Sequence, residues 1–312
     1  MTATAAMIGA GLIGRSWAMV FARANWRVRL YDSVPEQLIA AREHIEAGLL
    51  EQQTYGLADD AAAAAARVDY VANLEDAVAD VQWVQENAPE ALDVKRELYP
   101  RIDRATPPAA IIASSTSAIP ASRFTEGLQG RERCLVAHPV NPPHLVPVVE
   151  LCGAPWTTPA TLERARTVMN DIGQVPILVK HELDGFILNR LQGALLSEAL
   201  RLVGEGYVSP QDLDRTVQDG LGLRWSFIGP FATIELNAPG GVADYCARYG
   251  AFYRSLAERP PTPAVWDSEN VQRVSSQLDP PTTSTERDAR MRWRDLRLLS
   301  LRRHKRDEPD SH

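Results

Sequence analysis

Cysteine is scarce in this chain. Its 312 residues hold three, Cys134, Cys152 and Cys246. They are far apart, odd in number and in no metal-ligand spacing. That excludes a disulfide framework and a cysteine-built metal site, and it fits reduced thiols in a reducing compartment; no metal is expected. Long apolar runs are missing as well, since none approaches the roughly 20 residues needed to cross a bilayer. The N-terminal Met-Thr-Ala-Thr leads at once into a strand and turn. No basic segment precedes an apolar one, so no signal peptide is read there. A basic excess is also absent. Lys and Arg number 33 against 40 Asp and Glu, a net charge of −7, which argues against general nucleic-acid binding. Histidine is short too, with six in all. What is plentiful is ordinary: 45% hydrophobic and 23% charged residues suit a globular chain with a substantial core. The length suits two domains. The expectation is a soluble, cytoplasmic α/β protein.

Strand and helix signals alternate through the first half. A short apolar strand at residues 3–8 runs into Gly9-Ala-Gly-Leu-Ile-Gly14 and a helix from Arg15 to Ala24. Arg27 to Asp32 reads as a second strand ending in an acid. Pro35 opens a long helix, where a missing N–H costs nothing. Alanine-rich residues 58–66 belong to a helix and its connection. Further strands are expected at 83–85, 110–113, 134–137, 146–151 and 176–179, which implies a largely parallel sheet covered on both faces. The character changes near Lys180. Asp184 to Gly206 reads as one long helix, with Leu188, Leu191, Leu195 and Ala199 on one face. Ser209-Pro210 caps and opens the next, with Asp212 at the capping-box position. The domain boundary falls at about 181, giving domains 1–181 and 182–312, the second mostly helical. Residues 279–286 form a linker or loop. A last helix, rich in arginine, runs from about Arg287 to Arg303, with Trp293, Leu296 and Leu299 spaced to pack one face. From about 305 a disordered tail is expected.

Gly9, Gly11 and Gly14 give G-x-G-x-x-G between a strand and a helix. The first permits the tight turn, the second lets a pyrophosphate approach, and the third lets helix and strand pack closely. Alone the pattern is weak. Here Asp32 closes the second strand about 20 residues on, the context that supports it. Its carboxylate can accept from a ribose 2′-OH and would repel a 2′-phosphate, which favours NAD over NADP.

Of the six histidines, His44 lies in a charged helix, His181 at the domain junction, and His304 and His312 near the end. His138 follows the apolar Cys-Leu-Val-Ala, at a strand end, where α/β sheets gather ligands. The chain returns through Val146-Pro-Val-Val-Glu150, which can set Glu150 beside it. An imidazole takes an alcohol proton as hydride leaves carbon, and a carboxylate on its other nitrogen fixes the tautomer. That pairing suits hydride transfer between a nicotinamide and a secondary alcohol. On spacing alone, two residues that each serve the fold locally fit equally well. Ser117 lies in a Ser-Ser-Thr-Ser loop after a strand, where serines are more often turn formers or caps. Asn189 lies early in the long helix, either exposed or turned into the cleft.

Taken together, these residues resemble the 3-hydroxyacyl-CoA dehydrogenase superfamily, in its L-gulonate 3-dehydrogenase (lambda-crystallin) branch. The likeness rests on Gly-Leu-Ile-Gly-Arg-Ser-Trp-Ala-Met, Gln-Glu-Asn-Ala-Pro-Glu, Ala-His-Pro-Val-Asn-Pro-Pro, Asp-Gly-Phe-Ile-Leu-Asn-Arg-Leu-Gln and Asp-Gly-Leu-Gly-Leu-Arg-Trp, and covers nearly the whole chain. It implies a Rossmann-type domain followed by a helical domain that usually builds a homodimer. It implies NAD-dependent oxidation of a small 3-hydroxy acid of the L-gulonate type, with short 3-hydroxyacyl-CoA or carnitine as alternatives and a non-catalytic, crystallin-like role further off. Ser117, His138, Glu150 and Asn189 match its catalytic group. Glu86 and Lys95 match positions used around nicotinamide and ribose, and Asn141 its loop asparagine. Arg224 can grip a substrate carboxylate in a fork, or can be a surface or interface arginine. His144 is a departure, standing where relatives often carry an aromatic.

Overall fold

The structure, a computed structural model, describes residues 2–280 and 282–308. Two compact units divide them: one runs to Asn189 and includes the last helix from Arg290, the other spans Arg190–Ala289. Among the described residues no helix is long and apolar enough to cross a membrane.

The first unit is built on eight strands: β1 (Thr4–Ile8), β2 (Arg27–Tyr31), β3 (Val68–Val71), β4 (Trp83–Glu86), β5 (Ile111–Ser114), β6 (Cys134–Pro139), β7 (Val148–Gly153) and β8 (Val175–Val179). They lie in the order β3-β2-β1-β4-β5-β6-β7-β8. Every neighbouring pair is parallel except β6 and β7. Along β1, Ala5 and Met7 enter one core while Ala6 and Ile8 enter the other. A strand buried on both faces has no polar side to show, so it reads as a continuous apolar run. Helices α1 (Leu12–Arg23), α2 (Pro35–Thr54) and α3 (Ala61–Ala65) cover the first face with Trp17, Phe21, Ile45, Leu49 and Ala64. Helices α4 (Leu74–Val78) and α5 (Leu92–Ala105) cover the second with Leu74, Val78, Tyr99 and Ile102. β1 has β2 on one side and β4 on the other, so the strand order reverses there. The crevice outside the carboxyl ends of such strands is where open α/β sheets take ligands.

Several elements differ from the sequence expectation. β3 was not among the expected strands; it is four residues long with Asp69 inside it, too short for alternation to register. The helix expected from Asp184 begins at Leu188. Gly185 (φ 77°) and Phe186 (φ 47°) are left-handed, a conformation no α-helix continues through. Phe186 is fully buried, so burial holds it in a region non-glycine residues seldom occupy. The last helix spans Ser284–Asp307 and remains helical where a disordered tail was expected; residues 309–312 lie outside the described residues. It is tied down: Leu299 is buried, Arg292 pairs with Glu51 at 2.9 Å, Arg302 donates to the Leu145 carbonyl at 3.3 Å and Arg306 donates to the Gly56 carbonyl. Trp293, expected on the packed face, is 60% exposed, with Arg297 over its ring.

The second unit is helical. Ser209 caps the helix Pro210–Arg215 by accepting from the Asp212 amide. Helix Ser268–Ser275 is joined to the long helix Leu188–Gly204 by Asn270 donating to the Leu200 carbonyl at 3.3 Å and by Arg273 donating to the Gly204 carbonyl at 3.0 Å. Helix Gly241–Ala257 buries none of its residues, leaving Tyr249, Phe252, Tyr253 and Leu256 exposed.

Candidate active site

The turn after β1 shows why it needs its glycines. Gly9 has φ +101°, and a Cβ on it would sit 2.7 Å from the Asn87 carbonyl oxygen. A Cβ on Gly14 would lie 1.8 Å from the Gly9 carbonyl oxygen, so α1 could not approach β1. A Cβ on Gly11 would meet nothing within 4 Å, which leaves the start of α1 open to a ligand. Asp32 Oδ2 accepts from the Ala10 amide at 2.8 Å and Oδ1 from the Val34 amide at 2.9 Å, so the acid is fixed at the end of β2 with a lone pair to spare on each oxygen. Gly9, Gly11, Asp32, Asn87 and Pro89 help line a crevice of about 670 Å³. Open space over a glycine, an amide-rich helix start and an anchored acid are what a dinucleotide requires.

The polar group lies further along the strand ends. The antiparallel register pairs His138 with Glu150 across β6 and β7, and His138 Nδ1 meets Glu150 Oε2 at 2.8 Å. Both are buried, 4% and 2% exposed. Glu150 Oε1 accepts from the Ile187 and Leu188 amides at 2.8 and 3.0 Å. Burial pushes this carboxyl up, but the bonds from His138 and the two amides outweigh it and hold its pKa below the ordinary carboxylate value. An ionised Glu150 makes Nδ1 the protonated nitrogen, so neutral His138 presents the lone pair of Nε2. Phe186 lies beside the imidazole with its ring tilted by 32°, centroids 5.5 Å apart. The same turn that feeds amides to Glu150 leads to Asn189, whose Nδ2 donates to the Ser117 carbonyl at 2.9 Å. Ser117 is exposed, and its hydroxyl has no hydrogen bond among the described residues. The structure therefore gathers Ser117, His138, Glu150 and Asn189 through one hydrogen-bonded turn.

Glu86 and Lys95 are placed differently. Their side chains are 0% and 1% exposed and paired at 2.9 Å. Glu86 also accepts from Ser114 Oγ at 2.6 Å and from the Ala88 amide at 2.7 Å. Neither lines the crevice, but Ala88, which donates to Glu86, does. Glu90, in the same Gln-Glu-Asn-Ala-Pro-Glu segment, was passed over in the sequence. It is the exposed one of the two acids and reaches the Ser117 turn. Asn141 is exposed in the loop three residues after His138, and Arg224 is exposed on the second unit. Among the described residues no group of His, Cys, Asp and Glu could hold a metal ion.

His144 is enclosed. Its Nδ1 contacts Ser16 Oγ at 3.1 Å; Ser16 already donates to the Leu12 carbonyl, so Nδ1 is the donor. Burial first, then Arg23, Arg15 and Arg294, push its pKa down to about 3. Arg23 itself, lowered to about 9 by burial and by Arg302, donates to the His144 carbonyl at 2.8 Å. His144 stays neutral in the folded chain, while an unfolded histidine binds a proton near pH 6.5. Stability tied to this residue is complete above that pH and is lost as pH falls toward 3, by up to about 1.4 kcal/mol per pH unit. His144→Phe removes that proton uptake, so its Tm should fall less than wild type between pH 7 and 5. Equal losses in both proteins would show that His144 does not govern the acid side.

Such a fold and such a site define a class: NAD-dependent oxidoreductases acting on a CH–OH group. The 3-hydroxyacyl-CoA dehydrogenase NAD-binding domain matches residues 4–182, and the C-terminal domain of that family matches residues 185–274. Lambda-crystallin of Oryctolagus cuniculus is 40% identical over 305 residues, covering 96% of this chain and 95% of that protein. L-carnitine dehydrogenase of Streptomyces coelicolor is 38% identical over 275 residues, covering 88% and 86%. Among solved structures, an NAD+-dependent 5-formyl-3-hydroxy-2-methylpyridine 4-carboxylic acid 5-dehydrogenase superposes with a TM-score of 0.84 at 29% identity, covering 97% of this chain and 98% of that one. The chain belongs to the 3-hydroxyacyl-CoA dehydrogenase family, in its lambda-crystallin branch, and its cofactor is NAD.

Proposed function

We propose that the chain oxidises the 3-hydroxyl of a small L-3-hydroxy acid, with L-gulonate to 3-dehydro-L-gulonate as the leading reaction. The observation that carries the mechanism is the His138–Glu150 bond, which leaves Nε2 as the base. NAD, when bound, supplies the hydride acceptor. Nε2 takes the hydroxyl proton as the C–H bond gives up its hydride, and the C–O bond becomes a carbonyl. Glu150 stabilises the imidazolium so formed and keeps the ring in place. The Ser117 hydroxyl and the Asn189 amide hydrogen-bond the reacting oxygen. Asn141 borders the substrate, and Arg224 pairs with its carboxylate. The exposed aromatic face of helix Gly241–Ala257 supports a homodimer, since large apolar patches mark association surfaces.

L-gulonate is favoured by the near full-length likeness to lambda-crystallins, 40% over 96% of the chain. The second reading, L-carnitine, is favoured by relatives of nearly equal identity. NADH formation from L-gulonate, L-carnitine, L-3-hydroxybutyrate and 3-hydroxybutyryl-CoA separates them, because specificity is a ratio of kcat/KM values. L-gulonate is expected to have the highest ratio. A higher value for carnitine or the CoA ester keeps the chemistry and replaces the substrate.

A further inference from the structure

The loop of residues 140–147 joins β6 to β7. It begins just after His138 and carries Asn141. Within itself it makes a turn, in which the Leu145 and Val146 amides donate to the Pro142 carbonyl at 3.0 and 2.9 Å. Distant segments also hold it. Arg23, at the end of α1, donates to the His144 carbonyl at 2.8 Å. Arg302, on the last helix, donates to the next carbonyl, that of Leu145, at 3.3 Å. Two guanidiniums thus grip neighbouring carbonyls of one loop. Neither has an ion pair with an acid among the described residues. Burial lowers the pKa of both, and the charge of Arg302 lowers that of Arg23 further. Like charges brought together with no acid between them are a poor means of holding a helix down. The last helix has better anchors, in the buried Leu299, in Arg292 on Glu51 and in Arg306 on the Gly56 carbonyl. What Arg302 adds is its bond to the loop.

We propose that Arg302 is a positioning residue: from the last helix it fixes the 140–147 loop in the conformation that sets Asn141 for the substrate. This rests on the placement of Asn141 beside the substrate above. A loop released at Leu145 samples conformations in which Asn141 is misplaced. Substrate must then select the competent fraction, and its apparent affinity falls in proportion. Once substrate is bound the loop is set again. His138 is held separately, in β6 by its pairing with Glu150. A raised KM with kcat kept is therefore the signature.

The test uses the full-length enzyme, with NAD and whichever panel substrate it turns over best. Arg302→Met, Arg302→Lys, Arg306→Met, Asn141→Ala and the double variant Arg302→Met/Asn141→Ala are compared for kcat, KM and Tm. Methionine keeps an apolar stem in place and removes the donor. Arg302→Met should raise KM about tenfold, the scale of one hydrogen bond from a charged group, with kcat within about twofold of wild type. Its Tm should hold, since the repulsion of Arg23 is lost along with the bond. Arg302→Lys keeps a donor for the single bond that Nη1 makes and should return KM to near the wild-type value. Arg306→Met loosens the same helix away from the loop and should leave KM unchanged. The double variant should have the KM of Asn141→Ala alone, because a loop without its asparagine has nothing left to position. An unchanged KM, a fall confined to kcat or a loss of folding in Arg302→Met would each overturn the proposal. So would an equal rise in KM in Arg306→Met, a KM in Arg302→Lys as high as in Arg302→Met, or multiplicative rises in the double variant. Asn141→Ala at wild-type KM would overturn the placement of Asn141 and this inference with it. A raised KM in Asn141→Ala beside an unchanged one in Arg302→Met would overturn this inference alone.

Discussion

His138→Asn is expected to lower kcat by about 10²–10⁴-fold, the usual contribution of a positioned general base, while NAD still binds. Asparagine is chosen for its shape. Its amide nitrogen can occupy the place of Nδ1 and donate to Glu150, so the buried carboxylate keeps a partner. What disappears is Nε2, the one ring nitrogen that Glu150 does not engage. Alanine would instead leave a cavity against Phe186 and an acid short of a bond, mixing folding loss with chemical loss. Steady-state NADH formation, an NAD titration and a melting curve on the same preparation separate these effects. A variant whose kcat stays within about threefold of wild type would remove His138 from the proton transfer, since that is under 1 kcal/mol of barrier.

The second large effect concerns two glycines three residues apart that should fail in different ways. At Gly14 the atom in the way of a new Cβ is the Gly9 carbonyl oxygen, 1.8 Å off. Backbone of a central strand's turn cannot swing aside, so Gly14→Ala should cost about 3 kcal/mol or more and yield little folded protein. Gly11 has φ −67°, which alanine adopts freely, and open space where the methyl would go. Gly11→Ala should fold with near wild-type Tm, yet its methyl occupies room the pyrophosphate needs. An NAD Kd raised about 10–100-fold follows from about 1–3 kcal/mol of overpacking. Thermal melts and NAD titrations of both variants check this. A well-folded Gly14→Ala, or a Gly11→Ala that binds NAD as wild type does, would contradict the assigned roles of the turn.

What could be read in the sequence follows from local physics. A glycine turn between strand and helix, an acid closing the next strand, proline at the first turn of α2 and serine before Pro210 all act through neighbours a few residues away, and the elements formed where these signals fell. Apolar runs marked most strands of the sheet for the same reason: burial on both faces leaves its trace in every residue. β3, four residues with an aspartate inside, carried no such trace. The family likeness could also be read, because its motifs are contiguous.

Other features depended on contacts between distant segments. That β6 and β7 run antiparallel in the register that sets His138 opposite Glu150 is decided by sheet pairing. That the left-handed residues 185 and 186 aim the Ile187 and Leu188 amides at Glu150 and bring Asn189 to Ser117 is decided by the burial of Phe186. The burial of Glu86 against Lys95, and the exposure of Glu90 on the Ser117 turn, distinguish two acids that are alike in sequence. The last helix shows the same limit: Arg292, Arg306 and Arg302 meet Glu51, Gly56 and Leu145, all more than 150 residues earlier. Sequence alone determined where the chain turns and which faces seek the core; the tertiary structure decided which polar groups meet, because hydrogen bonds between distant segments exist only after the sheet has aligned them.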